Sequence, residues 1–417
     1  MQDFGDFGAP PRRRGSGSWL THAIVAVLAA GLAVAIVVGF FMPASGGSQP
    51  GSGAVPAPPA SAAPIAGGQQ DIIAKVTPGL VLIDTTLQYN SEAAAGTGMV
   101  INADGLVLTN NHVIKGSTRI TATVAATGKT YQAQVVGYDV TGDIALIQLQ
   151  HASGLTVVPI GNSSAVKAGN AVVALGNAEG QGKITAAAGH VTALNATVTA
   201  SDEAGSTSTE TLHGMIQTNA DVQPGDSGGP LTSSAGVIGM DTAGNAAGDM
   251  QGPAAGFAIP INTSLSVARQ IAAGHPSSII TIGYPPFIGI FIGSGSSSDP
   301  QAQAQQQGQG SGGGFGGSGN TPVCYDSNTD LIVPSSIAPA RSGTLVDGTI
   351  CGSPAAAAGL TGGAVITAVN GQAVGSPDDF AGIMARFRPG DTVSVTWVSP
   401  AGRSTTSDLH LTAGPPQ

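Results

Sequence analysis

Charge is scarce in this chain. Asp, Glu, Lys and Arg make up 9% of its 417 residues, against roughly a quarter in ordinary soluble globular proteins. Aromatic residues are rarer, at 4%. A chain so poor in charge is not globular throughout, so part of it is linker or membrane segment. Basic residues are the scarcer sign, 14 Lys and Arg against 24 Asp and Glu, for a net charge of -10. That balance argues against nucleic acid as a partner, because neutralising phosphates needs a basic face. Cysteine is almost absent, with Cys324 and Cys351 alone. No CxxC pair or Cys/His cluster exists, so no zinc site is expected.

What the chain has in quantity is glycine and proline, 63 and 27 residues, and they punctuate it. Between them, 19–42 reads "WLTHAIVAVLAAGLAVAIVVGFFM", without Asp, Glu, Lys or Arg. At 1.5 Å per residue, about 24 residues reach roughly 36 Å, enough to cross a bilayer with some tilt. Arg12, Arg13 and Arg14 precede it, which places residues 1–18 in the cytoplasm and everything after 42 outside it. A cleaved signal peptide would have a shorter apolar core and a clean A-x-A site, so a single-pass anchor is the expectation. Export makes a disulfide between Cys324 and Cys351 an expectation too. Residues 43–70, rich in Pro, Ala, Gly and Ser, read as a flexible tether.

From 71 onward, short aliphatic and β-branched runs are broken by turn residues about every ten positions: "GLVLIDTTL", "ITATVAA", "YQAQVVGYDV", "DIALIQL", "AVVALGN". That rhythm predicts an all-β barrel or sandwich. A helix at "TSLSVARQIAAG" closes the region near 275. Residues 293–320, nearly all Gly, Ser and Gln, read as a disordered insertion. A second β-rich module follows, with a helix at "SPDDFAGIMARF" opened by Ser376 as N-cap and Pro377 in the first turn.

The chemistry centres on "PGDSGGP" around Ser227. An acyl-transfer serine needs a base, a carboxylate to orient that base, and N–H donors for the oxyanion. Glycines on both sides of Ser227 let the N–H groups of Gly225 and Ser227 share one hole, and side chains at 225, 228 or 229 would crowd the substrate. Of the seven histidines, His112 has a distinctive setting, at the sharp turn in "VLTNNHVI". Asp143 and Asp139 compete for the third role. Asp143 opens an apolar run and is the one expected to be buried against an imidazole, whereas Asp139 sits among turn residues and reads as solvated. The order His112, Asp143, Ser227 is that of chymotrypsin.

"GTGMVINADGLVLTNNHVI", "DIALIQL", "ALGNAEG", "MIQTNADVQPGDSGGPL", "GVIGMDTA" and "GFAIPIN" together resemble the HtrA-type (DegP-like) trypsin-fold serine proteases. The resemblance implies a mainly β protein: a two-barrel chymotrypsin/trypsin-like domain over 71–275 and a PDZ domain over 276–417, a β-sandwich with short helices split by the insertion, preceded by one transmembrane helix. It implies serine endopeptidase activity on protein and peptide substrates, unfolded or damaged ones among them, with no cofactor. Segment 239–244 would pair with the substrate backbone and line the primary pocket, including Thr242 and Ala243. In the PDZ domain, Phe287, Ile288, Gly289 and Ile290 would receive a peptide C-terminus. Trimers are common in the family, so a homo-oligomer is expected.

Two acids depart from the family pattern. Asp226 stands where HtrA-type enzymes usually have Asn, and is expected to cap local N–H groups. Asp221, six residues before the serine, stands where trypsin-like enzymes place the acid of the pocket floor. It would tilt the pocket towards basic side chains or, more plainly, face water. Two other functions compete with proteolysis: a catalytically quiet protein that binds or senses C-termini through its PDZ domain, and a chaperone. The complete His112, Asp143 and Ser227 set argues against the first of these.

Overall fold

The computed structural model describes residues 67–87, 92–201, 209–244, 255–293, 296–310, 324–326, 334 and 336–416. The span read at 19–42 lies outside them. Among the described residues no helix is long and apolar enough to cross a membrane.

The first described element falls inside the stretch read as tether. Helix α1 (Gly67–Val76) buries Ile72 and Val76, four residues apart and so on one helix face. Six strands then form the first barrel: β1 (Leu80–Leu87), β2 (Glu92–Asn102), β3 (Leu106–Thr109), β4 (Arg119–Val124), β5 (Thr130–Asp139) and β6 (Ile144–Leu149). The sheet runs β5-β4-β1-β2-β3-β6, and β6 returns to pair with β5. In β4 and β5 buried and outward residues alternate, the period-2 pattern of a sheet with one packed face. The one-turn helix α2 (Asn111–Ile114) follows β3.

The second barrel closes as β10-β11-β12-β9-β8-β7. Its strands are β7 (Ala171–Gly176), β8 (Thr185–Ser201), β9 (Thr209–Thr218), β10 (Pro230–Ser233), β11 (Gly236–Gly244) and β12 (Gly256–Pro260). One apolar cluster joins the barrels, with Leu80, Met99 and Leu108 of the first against Leu175, Met240 and Ile259 of the second. Helix α3 (Ile261–Ala272) adds Ile261, Ala268 and Ile271 to it.

The first barrel does not end its claim on the chain at 275. Strand β13 (Ile280–Ile282) pairs antiparallel with β5, and Ile280 is buried in the inter-barrel core. The boundary read from the helix stop is therefore too early by about one strand.

In the C-terminal module, β14 (Pro286–Phe287) pairs with the last strand, β22 (Thr412–Ala413), and β15 (Ile290–Phe291) pairs with β17 (Gly348–Thr349). Strands β16 (Thr344–Leu345), β18 (Val365–Val369), β20 (Thr392–Val398) and β21 (Ser404–His410) form the main sheet, with β19 (Gln372–Ala373) beside β18. Both sides of the insertion thus belong to one module. Helix α5 (Pro354–Ala357) starts at Ser353. Helix α6 (Pro377–Met384) starts at Ser376, whose Oγ accepts the Asp379 N–H at 3.2 Å.

The reading of 293–320 as structureless does not hold over helix α4 (Pro300–Gly310). Gln303 is buried, and its amide gives to the carbonyls of Ser297 (2.9 Å) and Gly343 (2.8 Å) while taking the Leu345 N–H (2.8 Å). These bonds tie the helix to β16, a partner that composition does not reveal. Cys324 and Cys351 are joined as a disulfide with Cα atoms 4.9 Å apart.

Candidate active site

The site lies where the two barrels meet. Asp143 opens β6 with a positive φ of 52°, a left-handed conformation that costs a non-glycine residue about 1 kcal/mol. Its carbonyl is held by the Asn110 side-chain N–H at 2.9 Å. The carboxylate is 1% exposed. It faces His112, the second residue of α2: Nδ1 lies 2.9 Å from Oδ2 and 3.1 Å from Oδ1, and the His112 backbone N–H gives to Oδ1 at 3.0 Å. An acceptor-only carboxylate at Nδ1 requires the proton there, which leaves Nε2 with its lone pair.

Thr242 joins this pair to Ser227. Its hydroxyl gives to Asp143 Oδ2, and its carbonyl accepts the Ser227 hydroxyl at 3.1 Å. In this resting arrangement the serine hydroxyl is directed at a carbonyl. Apo serine sites are commonly loose in this way. Thr242, expected along the substrate pocket, has its hydroxyl turned to the carboxylate instead. The Ala243 backbone pairs with Phe257 across β11 and β12.

The turn before Ser227 is fixed by its carbonyls. The Pro224 oxygen accepts the Glu179 N–H (2.6 Å) and the Asp226 oxygen accepts the Gly229 N–H (2.8 Å). In a trans peptide the N–H points opposite the carbonyl. The N–H groups of Gly225 and Ser227 are therefore both turned away from those anchors, and no backbone carbonyl among the described residues engages either. Two amide donors beside a hydroxyl can stabilise an oxyanion.

Gly225 and Gly228 have φ of 95° and 83°, the bend read in the sequence, but what a side chain would crowd there is different. A Cβ on Gly225 would stand 2.2 Å from the Asn177 oxygen, and one on Gly228 would stand 2.1 Å from the Thr97 oxygen. The protein's own backbone, rather than substrate, excludes side chains there.

Thr97 is the residue that motif reading misses. Fully buried on β2, its hydroxyl gives to the Gly225 carbonyl (2.8 Å) and takes the Asn177 N–H (2.9 Å), and its own N–H gives to the Ser227 carbonyl (2.9 Å). One side chain of the first barrel thus clamps the serine turn of the second. The only sequence signal is a threonine between two glycines.

The remaining acids sort by placement. Asp226 is buried and its Oδ2 accepts the Gln223 N–H at 2.9 Å, the local cap expected of it. Burial pushes its carboxyl up to about 6. Asp221 is exposed, with Oδ1 taking the Gln223 side-chain amide at 2.5 Å, the solvent-facing placement that was the plainer of its two readings. Asp139, read as solvated, is buried and accepts the Gly142 N–H at 3.0 Å. Burial raises its carboxyl above the ordinary value. It caps its own turn.

In the C-terminal module Gly289 has a φ of 78°. The Ile288 and Gly289 carbonyls accept from Ala355 N (2.9 Å) and Ile350 N (2.9 Å), so the loop is anchored through its oxygens. Ile288 is buried in the module's core, which leaves its backbone, not its side chain, for recognition. Phe287 and Ile290 are partly exposed.

The family model described as a trypsin-like peptidase domain matches residues 96–240, and that of the PDZ domain matches 349–398. Serine protease PepD of Mycobacterium tuberculosis is 31% identical over 407 residues, covering 93% of this chain and 76% of the relative. A probable periplasmic serine protease do/HhoA-like of Haemophilus influenzae is 33% identical over 310 residues, covering 73% and 55%. Periplasmic serine endoprotease DegP of Escherichia coli is 37% identical over 186 residues, covering 44% and 37%. The chain thus spans three quarters of the first of these and about half or less of the other two.

Proposed function

Because the chain belongs to the HtrA/DegP-type family of trypsin-like serine endopeptidases with a PDZ domain, we propose that Ser227, His112 and Asp143 are its catalytic triad. Ser227 Oγ attacks the peptide carbonyl while His112 Nε2 takes its proton. His112 then returns that proton to the leaving amine, and water completes the cycle through an acyl-enzyme. Asp143 holds His112 in the right tautomer and stabilises its protonated form. Gly225 and Ser227 N–H receive the oxyanion. The observation that carries the reading is the continuous link from Ser227 through Thr242 to Asp143 and His112.

The test is labelling of the purified exported part with a fluorophosphonate, alongside casein digestion. Wild type labels and digests, and Ser227→Ala does neither. Absence of both activities in wild type would leave the PDZ-based binding protein as the better reading.

The proposal extends to the setting. The 24 uncharged residues at 19–42, with three arginines before them, support a single-pass anchor that leaves both modules outside the cytoplasm. Release of the protein from membranes by carbonate would remove the anchor. Unfolded or damaged proteins are the substrate class, and the 287–290 loop takes their C-termini by β-addition. A homotrimer follows from the family alone, and a monomeric mass in light scattering would remove it.

A further inference from the structure

Behind the proposed nucleophile lies a second pair of acids. Asp241 is 0% exposed, and neither carboxyl oxygen has a hydrogen-bond partner among the described residues. Asp226, 3% exposed, leaves its Oδ1 unpartnered as well. Buried acceptors without donors are rare and costly, and each calls for an explanation.

The two acids share one place. Asp226 directly precedes Ser227. The Asp241 N–H gives to the Gly229 carbonyl, and its carbonyl takes the Gly228 N–H, both at 2.8 Å. Its backbone is thus stitched to the two residues after the serine. Across the ladder Asp241 faces Ala258, which packs with Val172, Ala174, Val222 and Leu231 inside the second barrel. Cross-strand partners point to one face, so the Asp241 carboxyl enters that interior, where the charge of Asp226 acts on it.

Among the described residues no cation is found to compensate them. The other charge acting on Asp226 is the exposed Asp221. Strands β7, β10 and β12 carry no titratable residue. On β8 and β9, His190 and His213 are exposed, and Glu210 lies opposite Ala200.

We propose that Asp226 and Asp241 hold one proton between them, as a carboxylic acid donating to a carboxylate, and that this pair positions the 223–227 turn bearing the oxyanion donors. Asp241 carries the proton and gives it to Asp226 Oδ1, while Asp226 Oδ2 takes the Gln223 N–H. Two of the three orphaned oxygens then gain a partner. Burial raises both carboxyls, and Asp226, already accepting the Gln223 N–H at Oδ2, is left as the acceptor and Asp241 as the donor. Asp241 is a positioning residue, acting through Asp226 on the Gly225 and Ser227 amides. The inference rests on Ser227 as the nucleophile.

Infrared difference spectroscopy tests the proton directly. Wild type at pH 7 shows the C=O stretch of a protonated carboxyl, and Asp241→Asn lacks it. A second such band grows as the pH falls through about 6, from Asp226, and is missing in Asp226→Asn. In catalysis, Asp241→Ala lowers kcat about a hundredfold with KM held, the scale of a lost oxyanion donor. Asp241→Asn recovers most of that loss, because its amide N–H replaces the acid O–H. Absence of the band at pH 7, or equal losses in the Asn and Ala variants, overturns the proposal. The band is read whether or not the enzyme turns over. An inactive wild type would therefore count against Ser227 and not against the shared proton.

Discussion

Thr97 and Asp226 show how single residues govern the serine turn from opposite sides. Thr97→Val keeps the shape of the side chain and removes its bonds to Gly225 and Asn177. The expected result is a fall in kcat of about tenfold or more with KM unchanged, since each of the two lost hydrogen bonds is worth about 0.5–1.5 kcal/mol. Steady-state kinetics on a peptide substrate checks it. Asp226 gives a pH signature in stability. With its carboxyl raised to about 6, the folded protein keeps a proton that the unfolded chain releases near 4. Its contribution to stability is therefore full below about pH 4 and is lost as the pH rises through about 6. Urea denaturation across that window should show a declining term in wild type that Asp226→Asn lacks.

Legibility at this scale followed chemistry that is local in the chain. His112 and Ser227 stand in distinctive motifs, and Asp143, which the structure places against His112, was separable from Asp139 by the apolar run it opens. Asp139 was misread because a turn residue looks solvated until its burial is known. Thr97 and Asp241 were illegible for a different reason. Each works through partners more than ten residues away, and each sits in a run that reads as ordinary strand. Asp221 shows the converse case, where offset from the serine left two readings open and the exposed loop agrees with the plainer one.

At the scale of elements, the glycine turn and helix α4 carry the sharpest expectations. Gly228 combines a φ of 83° with a neighbour 2.1 Å from any added Cβ. Gly228→Ala strains the backbone and displaces Thr97 at once, and a loss of several kcal/mol is expected, read as a lowered melting temperature with inactive enzyme. Helix α4 depends on Gln303. Gln303→Ala strands the Leu345 N–H and the Gly343 carbonyl at a cost of about 1–3 kcal/mol, and the 296–310 segment should become the first site of limited proteolysis. The strands were largely legible because alternation over six or more residues survives any tertiary context. Helix α4 was not, because a Gln-rich run has no apolar face and is fixed by one buried amide.

At the scale of the whole molecule, two modules share one chain but not one dependence. The disulfide closes a separation of 27 residues, for which chain entropy gives about 3–4 kcal/mol. Reduction should lower the melting temperature of the C-terminal module and leave hydrolysis of a small peptide ester intact. The modules also touch: the Gly116 N–H, just past the His112 helix, gives to the Pro416 carbonyl at 2.8 Å. The two-module layout was legible from six motif blocks and two changes of composition, whereas the seam between the modules was not.

That seam lies after β13. Ile280 is core, the Gly283 N–H gives to the Val136 carbonyl at 2.8 Å, and the Tyr284 hydroxyl takes the Val135 N–H at 3.3 Å. A recombination that exchanged C-terminal modules at residue 275 would carry off a strand of the protease with the piece it meant to swap. Crossovers that leave working hybrids should therefore fall between Tyr284 and Phe287, and inheritance of the two modules as separable units begins there.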